Sequence, residues 1–482
     1  MNNTPLAVNV LDAVIAAASL TLRYTSVLFV RFHPIGKRYL DRIYGTFIIF
    51  LLAFSAELAL LKYSKLRVKR RLGSAPILAI VDSSRPFFTA GGFLINLACI
   101  VAVLDFLFRG YLLHQSIDLS FSRMGYVDHS TARIVLRAPI SDYVQITVTP
   151  KCDGHAETEI LKSVLLSAHY DYVATVLIEG LEPDTPYTYA SNASHTGSFR
   201  TLSQPGSGLK LWSLVSSSCI KPFYPYNPLD HGLRIKGLEH LGKYLSEASV
   251  DMVLFLGDFI YIDLPIPLGW DADTYSAAYR QVYASPSWSP QLRATPWIHV
   301  YDDHEIINDW AGNDTELYKT AMRPFWNYHG NANPPSQYGA DKTYYTFRYQ
   351  GVAFFVLDTR RYRSDNAMAD GPEKTMLGAA QLAALKEWLI SETDWKVDRH
   401  EHATTIFPAK AKGDKPVIEF STSPLNQFYE PFDRFHEEIE ETDVLIYSHP
   451  RGSSKFGKVT FDTTQADRLL VHYDLVVDGV KV

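Results

Sequence analysis

The chain has 482 residues, 47% of them hydrophobic, 13% aromatic and 20% charged, with a formal net charge of -6. That length allows two or three domains, and the composition is that of a folded protein rather than a disordered one. The negative balance argues against a nucleic-acid partner, and cysteines at only Cys99, Cys152 and Cys219 are too few and too scattered for a disulfide framework or a CxxC zinc cluster.

The first hundred residues differ from the rest. Apolar runs cover roughly 6–30, 43–63 and 88–108, each about long enough to cross a ~30 Å hydrocarbon core as a helix. The second carries Glu57, which costs about 2.5–3.5 kcal/mol at the bilayer centre. The third carries only Asp105, near its end. Asp12 and Arg23 interrupt the first; three helical turns apart, they share a face and can pair or turn toward neighbouring helices. Residues 1–115 are therefore expected to be a membrane region of two to three transmembrane helices. No basic start precedes the first run, so it does not read as a cleaved signal peptide. Residues 62–71, KYSKLRVKRR, hold six basic side chains and no acid. The positive-inside bias puts them in the cytoplasm. With three spans, everything after about residue 112 faces a lumen or the exterior, as in the secretory pathway, a vacuole or the plasma membrane. The basic stretch 31–42 then lies on the opposite side from that rule. Sequons at Asn192 and Asn313 agree with luminal exposure.

Residues 116–204 read as all-β: TARIVLRA, YVQITVTP and YVATVLIEG are short β-branched runs between turn residues. In GLEPDTPYTYASN, Tyr187 and Tyr189 enter a strand after Leu, Pro and Thr, the pattern of a tyrosine corner in a fibronectin type III-like β-sandwich. QPGSG marks a linker, and from residue 208 to 482 apolar runs alternate with helical patterns. LKLWSLVSSSC, VDMVLFLGD, TPWIHVYDD and VAFFVLDTR are expected strands, and LRIKGLEHLGKYLSEAS and AAQLAALKEWLISET expected helices. Strands alternating with helices define an α/β class, in which chemistry gathers beyond the carboxyl ends of strands. Polar residues fall there: Cys219, Asp258, then Asp302, Asp303, His304 and Glu305, then Asp358 and Arg360. Carboxylates at several strand ends suit hard cations, and one carboxylate can bridge two ions. A phenolate from Tyr261 and a thiolate from Cys219 favour a trivalent, iron-like ion. His304 beside the acids is a ligand or a general acid.

GDFIYID, YDDHEIINDW, FFVLDTRRYR, MLGAAQLAALKEWL, DRHEHATTIF and EFSTSPLNQFY, in that order, resemble the successive motifs of PhoD-like (alkaline phosphatase D) metallophosphatases, most of residues 117–482 being covered. The chain is similar in particular to membrane-anchored fungal members. The resemblance implies a calcineurin-like α/β metallophosphatase sandwich behind the fibronectin-like domain. It also implies phosphoester hydrolysis by in-line attack of a metal-bound hydroxide at a site holding Fe(III) and Ca(II). Carried onto this chain, it makes Cys219, Asp258 and Tyr261 the iron-binding positions. Asp302 and Asp303, with Asp398 and His400, become further metal ligands, and His304 stands near the leaving group. Arg360 would contact the phosphate, a guanidinium fork matching its oxygens, with Asp358 holding it. The partners implied are a phosphoester and a lipid bilayer; oligomeric state is left open.

The chain departs from the family after EWL. Where the family has a strand, several dozen residues and a second strand ending in GDRHE, this chain has only SETDWKVDRHEHA, with Val397 in place of glycine. A parallel crossover alone needs a dozen or more residues, so a segment reads as missing near 395–398, exposing apolar sheet edges. His402 is an extra histidine there, expected to be incidental. LVVDGVKV reads as a final strand. Two alternatives stand beside the phosphoesterase: an inactive, truncated phosphatase-like membrane protein, favoured by the missing segment, and a purple-acid-phosphatase-like enzyme. DDHE and DRHE in place of GNH[ED] and GHxH motifs oppose the second.

Overall fold

The computed structural model describes all residues except 1–3, 152–158, 205–206, 208–210, 313, 392–394, 401–402, 408–416, 428–444, 450, 453 and 466–467. Cys152, Asn313 and His402 thus lie outside the described residues, as do the side chains of Asp398 and His400.

The three apolar runs form long helices: α1 (Thr4–Arg31), α2 (Gly36–Ser64) and, after the short α3 (Ser74–Leu78), α4 (Pro86–Leu113). Among the described residues three helices are long and apolar enough to cross a membrane. Asp12 and Arg23 do not pair with each other. Arg70, from the basic segment, reaches back to Asp12 at 2.5 Å and Glu57 at 3.4 Å. Arg23 donates to Asn96 and to the carbonyls of Pro76, Ile77 and Gly92. Charges inside apolar helices are thereby turned onto partners in other elements, which limits their desolvation cost.

Seven strands follow: β1 (Phe121–Val127), β2 (Thr131–Arg137), β3 (Tyr143–Pro150), β4 (Ile160–Leu165), β5 (Val173–Glu179), β6 (Pro186–Ser191) and β7 (Thr196–Arg200). They make two antiparallel sheets, β1-β2-β5 and β4-β3-β6-β7. Alternate side chains of both, such as Ile134, Leu136, Ile146 and Val148, fill one shared core. The Tyr187 hydroxyl accepts the backbone N–H of Glu182 at 2.8 Å, while Tyr189 bonds Ser122 at 3.0 Å. Tyr187 is therefore the residue that ties the corner. Buried Arg123 joins this unit to the next, donating to the Tyr283 hydroxyl and the Tyr328 carbonyl.

The remainder comprises β8 (Leu211–Ser217), α5 (Lys236–Glu247), β9 (Met252–Leu256), α6 (Ala272–Tyr283), α7 (Pro290–Ala294), β10 (Trp297–Val300), α8 (Glu316–Tyr328), β11 (Tyr345–Tyr349), β12 (Val352–Val356), α9 (Gly378–Ser391), β13 (Trp395–His400), β14 (Ala403–Phe407), β15 (Ile418–Ser421), β16 (Lys455–Gln465), β17 (Arg468–Val477) and β18 (Val480–Lys481). One sheet runs β10-β9-β8-β16-β17-β18 and the other β11-β12-β13-β14-β15. They pack face to face: Trp212, Leu214, Met252, Leu254, Ile298 and Val300 meet Phe347, Val352, Phe354, Val356 and Val397. The alternate residues point outward. Val215, Val253, Phe255 and Trp297 pack on α5–α8, and Ala353 and Phe355 pack toward Trp388 of α9. Because both faces are covered, these strands read as unbroken apolar runs.

β8, β9 and β10 are parallel neighbours, so their carboxyl ends lie at one edge. α9 carries the chain from β12 to β13, which pairs parallel with β12 and antiparallel with β14. The stretch 395–400 is thus a single strand seated inside a sheet between β12 and β14, with Val397 fully buried. The final segment is not one strand: Asp478 and Gly479, at φ 48° and 83°, turn it into a hairpin in which β18 pairs back on β17.

Candidate metal centre

Two side chains at the strand ends stand in a backbone conformation that L-residues rarely adopt. Cys219, beyond β8, has φ 67°, and Asp258, beyond β9, has φ 56°. Such conformations cost about 1–3 kcal/mol each and persist where the surroundings enforce them. Here the chains cross-brace: Cys219 N–H donates to Gly257 O at 3.1 Å and Ile220 N–H to Asp258 O at 2.8 Å. Gly257 itself, at φ 92°, has no room for a side chain, since a Cβ would lie 2.4 Å from that of Asp302.

The result is a cluster around the Asp258 carboxylate. Its Oδ2 accepts the Cys219 thiol at 3.3 Å and the Tyr261 hydroxyl at 2.7 Å. Asp258, Asp303 and His304 each offer a ligand atom, all within 4.8 Å of one another. Arg360 lies on the other flank, its Nε on Asp302 Oδ1 and its Nη2 on Asp303 Oδ1 at 3.3 Å. Cys219, Tyr261, Asp258, Asp302 and Asp303 are all buried. The structure thus brings together Cys219, Asp258, Tyr261, Asp302, Asp303, His304 and Arg360. Of Asp398 and His400 it gives only the backbone, in β13. Asp358 is adjacent but holds main chain rather than guanidinium: its Oδ1 accepts the N–H groups of Arg360 and Arg361 at 2.9 and 2.8 Å. Tyr301, Thr343 and Gln381 fix Asp358 in turn.

Reading the sequence for ligands missed three contributors, Asp263, Gln427 and Ser423, and placed a fourth, Glu305, at its strand end without a role. Glu305, fully buried, accepts the backbone N–H groups of Asp258 at 3.0 Å, Phe259 at 2.5 Å and Asp302 at 2.7 Å. The Asp-x-x-Glu spacing of DDHE, that of a capping box, was the signal available for it. Asp263 holds His304 Nδ1 at 2.7 Å. Gln427 donates to the Tyr261 hydroxyl and Ser423 to the Cys219 sulfur; the sequence separations carry no local signal for either.

The electrostatics are those of a cation site. Burial, together with Asp302 and Asp258, pushes Asp303 above the usual carboxylate range. Burial and then Asp258 push Glu305 well above it, and burial, Asp258 and Cys219 do the same to the Tyr261 phenol. For His304 burial favours the neutral ring, but Asp258 and Asp263 outweigh it and raise the imidazole to about 10. Asp258 Oδ1 is buried and lacks a hydrogen-bond partner among the described residues. Buried carboxyls in excess of their cationic partners, with one oxygen left over, are costly unless a cation completes them. The donor set therefore fits bound metal: hard carboxylates, plus a phenol and a thiol whose protons sit where an ion would replace them.

Fold and site together describe an α/β protein with a cation-ready acidic cluster beyond the ends of parallel strands. Among known proteins, the family model for PhoD-like phosphatases matches residues 236–398, a stretch that contains Asp258 to Asp398 but not Cys219. Alkaline phosphatase D of Bacillus subtilis (strain 168) is 27% identical over 274 residues, 48% of this chain and 43% of that protein. The match thus spans less than half the length of that relative. A solved structure titled Structure of PhoD aligns over 59% of this chain and 62% of its own, at 20% identity and a TM-score of 0.47. The FN5 domain of Drosophila Lar aligns over 18% of this chain and 96% of its own, at 12% identity and a TM-score of 0.15.

Proposed function

We propose that the chain is a membrane-anchored, metal-dependent phosphoric ester hydrolase of the PhoD type. The observation that carries this reading is the Asp258 cluster: Cys219, Tyr261, Asp303 and His304 gather on one carboxylate. All but Cys219 lie in the stretch that matches the PhoD-like phosphatase family. Cys219, Asp258, Tyr261, Asp302 and Asp303 would hold the ions, Fe(III) and Ca(II) by resemblance, with Asp398 and His400 completing them. When bound, such ions supply positive charge to phosphoryl oxygens and acidify water.

The chain's own residues supply the rest. His304 is held by Asp263 through Nδ1, and Asp258 and Asp263 favour its protonated ring against burial. Its Nε2 proton is therefore available to the leaving oxygen, which favours the acid role over the ligand role. Arg360 is braced by Asp302 and Asp303 and by the Asp358 turn beneath its backbone. Its fork, which lies on those two carboxylates in the metal-free site, would turn to the non-bridging phosphate oxygens once ions occupy the carboxylates. Asp358 is a positioning residue.

The two packed sheets between helices support a calcineurin-like sandwich, and the seven-strand unit with its Tyr187 corner supports a fibronectin type III-like domain ahead of it. We assign 1–115 to the membrane region, 116–204 to the β-sandwich and 208–482 to the catalytic domain. Arg70, at one end of the helix bundle, pairs with Asp12, while Arg31, at the other end of α1, touches Tyr226 of the catalytic domain. Basic segment and catalytic domain at opposite ends support a cytoplasmic 62–71 and a luminal or extracellular site. The seating of β13 inside its sheet supports an active enzyme over a truncated, inactive one.

The test is hydrolysis of bis(p-nitrophenyl) phosphate and p-nitrophenyl phosphate by the full chain in detergent, before and after chelation and after return of ferric and calcium ions. Turnover lost on chelation, restored by the ions and absent from Asp258→Asn supports the reading. Turnover of both esters no greater than that of Asp258→Asn overturns it.

A further inference from the structure

The turn between α1 and α2 is packed onto the candidate metal centre. Ile35 lies against Cys219, Tyr261 and Leu264. Gly36 N–H donates to Pro265 O at 2.8 Å. A Cβ at Gly36 would fall 2.3 Å from that oxygen and 2.6 Å from Ile266 Cγ2. At the end of α1, Val30 O accepts Tyr226 N–H at 3.2 Å and Arg31 donates to Tyr226 O at 2.8 Å. One turn therefore pins both segments that leave the carboxyl ends of β8 and β9, those carrying Cys219 and Tyr261. α4 reinforces the contact: Phe106 packs among Phe223, Tyr224 and Tyr226, and Asp105 accepts the Tyr226 hydroxyl at 2.9 Å.

A tether needs none of this. Close packing without room for one carbon is the signature of a surface that fixes position. Resting on the metal-site reading above, we infer that the membrane anchor is a structural wall of the site, with Ile35 and Gly36 as positioning residues for Cys219 and Tyr261. Two consequences follow. A catalytic portion cut away after α4 would lose that wall, and a side chain at Gly36 would act on the metal ligands although it touches none of them.

The experiment compares three variants of the full chain in detergent. Gly36→Val pushes on Pro265, and Ile35→Ala removes the cover without adding bulk. Gly45→Val is the control, since a Cβ there meets nothing within 4 Å. The first readout is alkylation of Cys219 in metal-free protein, mapped by mass spectrometry. The second is ferric ion alone, followed by the visible phenolate-to-iron absorption. The inference expects faster Cys219 alkylation in Gly36→Val and Ile35→Ala, and about a 10–100-fold loss of ferric affinity, the range for residues that support metal ligands. Gly45→Val behaves as wild type. Wild-type alkylation and affinity in both test variants overturn the inference, as does an equal change in Gly45→Val. If the wild type binds no ferric ion, yet Cys219 is still uncovered in both test variants alone, the wall stands and the metal reading falls.

Discussion

Asp258 accepts hydrogen bonds from a thiol and a phenol with one oxygen, and the other has no donor among the described residues. On the metal-site proposal, that oxygen is held for a cation at a cost to the metal-free fold. Asp258→Asn is expected to abolish metal uptake and with it measurable turnover, while the metal-free protein melts no lower than wild type; metal content, kcat and a thermal melt check this. Uptake should displace the Cys219 and Tyr261 protons, so affinity rises with pH and proton release is measurable with an indicator dye. Glu305→Gln turns one acceptor oxygen into a donor against backbone N–H groups. The expected loss is about 1–3 kcal/mol, read as a shifted denaturation midpoint with unchanged slope. The acids of DDHE were legible in the sequence because their type and clustering announce them. Asp263, Gln427 and Ser423 were not, because a second-layer donor is defined only by what it touches.

At the scale of elements, β10 delivers His299 and the end of α8 delivers His329. Their rings stack at 3.6 Å within a cage that includes Phe259 and Tyr279. Burial, and for His329 also His299, holds both far below the usual imidazole range. The unfolded chain takes up protons near pH 6.5 while the folded pair does not. Stability is therefore complete above that pH and falls below it, by about 1–1.5 kcal/mol per histidine one pH unit lower. Neither ring nitrogen of His299 has a partner among the described residues, so His299→Leu should shrink the difference between denaturation midpoints at pH 7.5 and 5.5. The strands with continuous apolar runs were readable as such. β13 was not: three residues before DRHE read as too few for the family's two strands and their connection, and the structure has one strand there, reached through α9. The final strand was in fact a hairpin, and its Asp-Gly pair was the overlooked turn signal.

Across the whole molecule, the helices and the catalytic unit meet at one end of the bundle, and the basic segment occupies the other. In sealed vesicles, added protease should reach either residues 65–71 or the chain beyond α4, never both. Cleavage at both places would refute the opposed arrangement.

By itself the sequence determined the long apolar helices, the α/β alternation and the acid-bearing strand ends, because hydrophobic period and residue chemistry are local properties. Tertiary structure alone decided that Glu305 and Asp263 brace the site, that Asp358 holds main chain, and that the α1–α2 turn closes on Cys219 and Tyr261. The Glu305–Asp258, Asp263–His304 and α1–α2 turn contacts join residues tens to hundreds of positions apart, which only the packing of one element on another brings within reach; Asp358 bonds main chain two and three residues on, a local turn whose role depends on where the fold sets it.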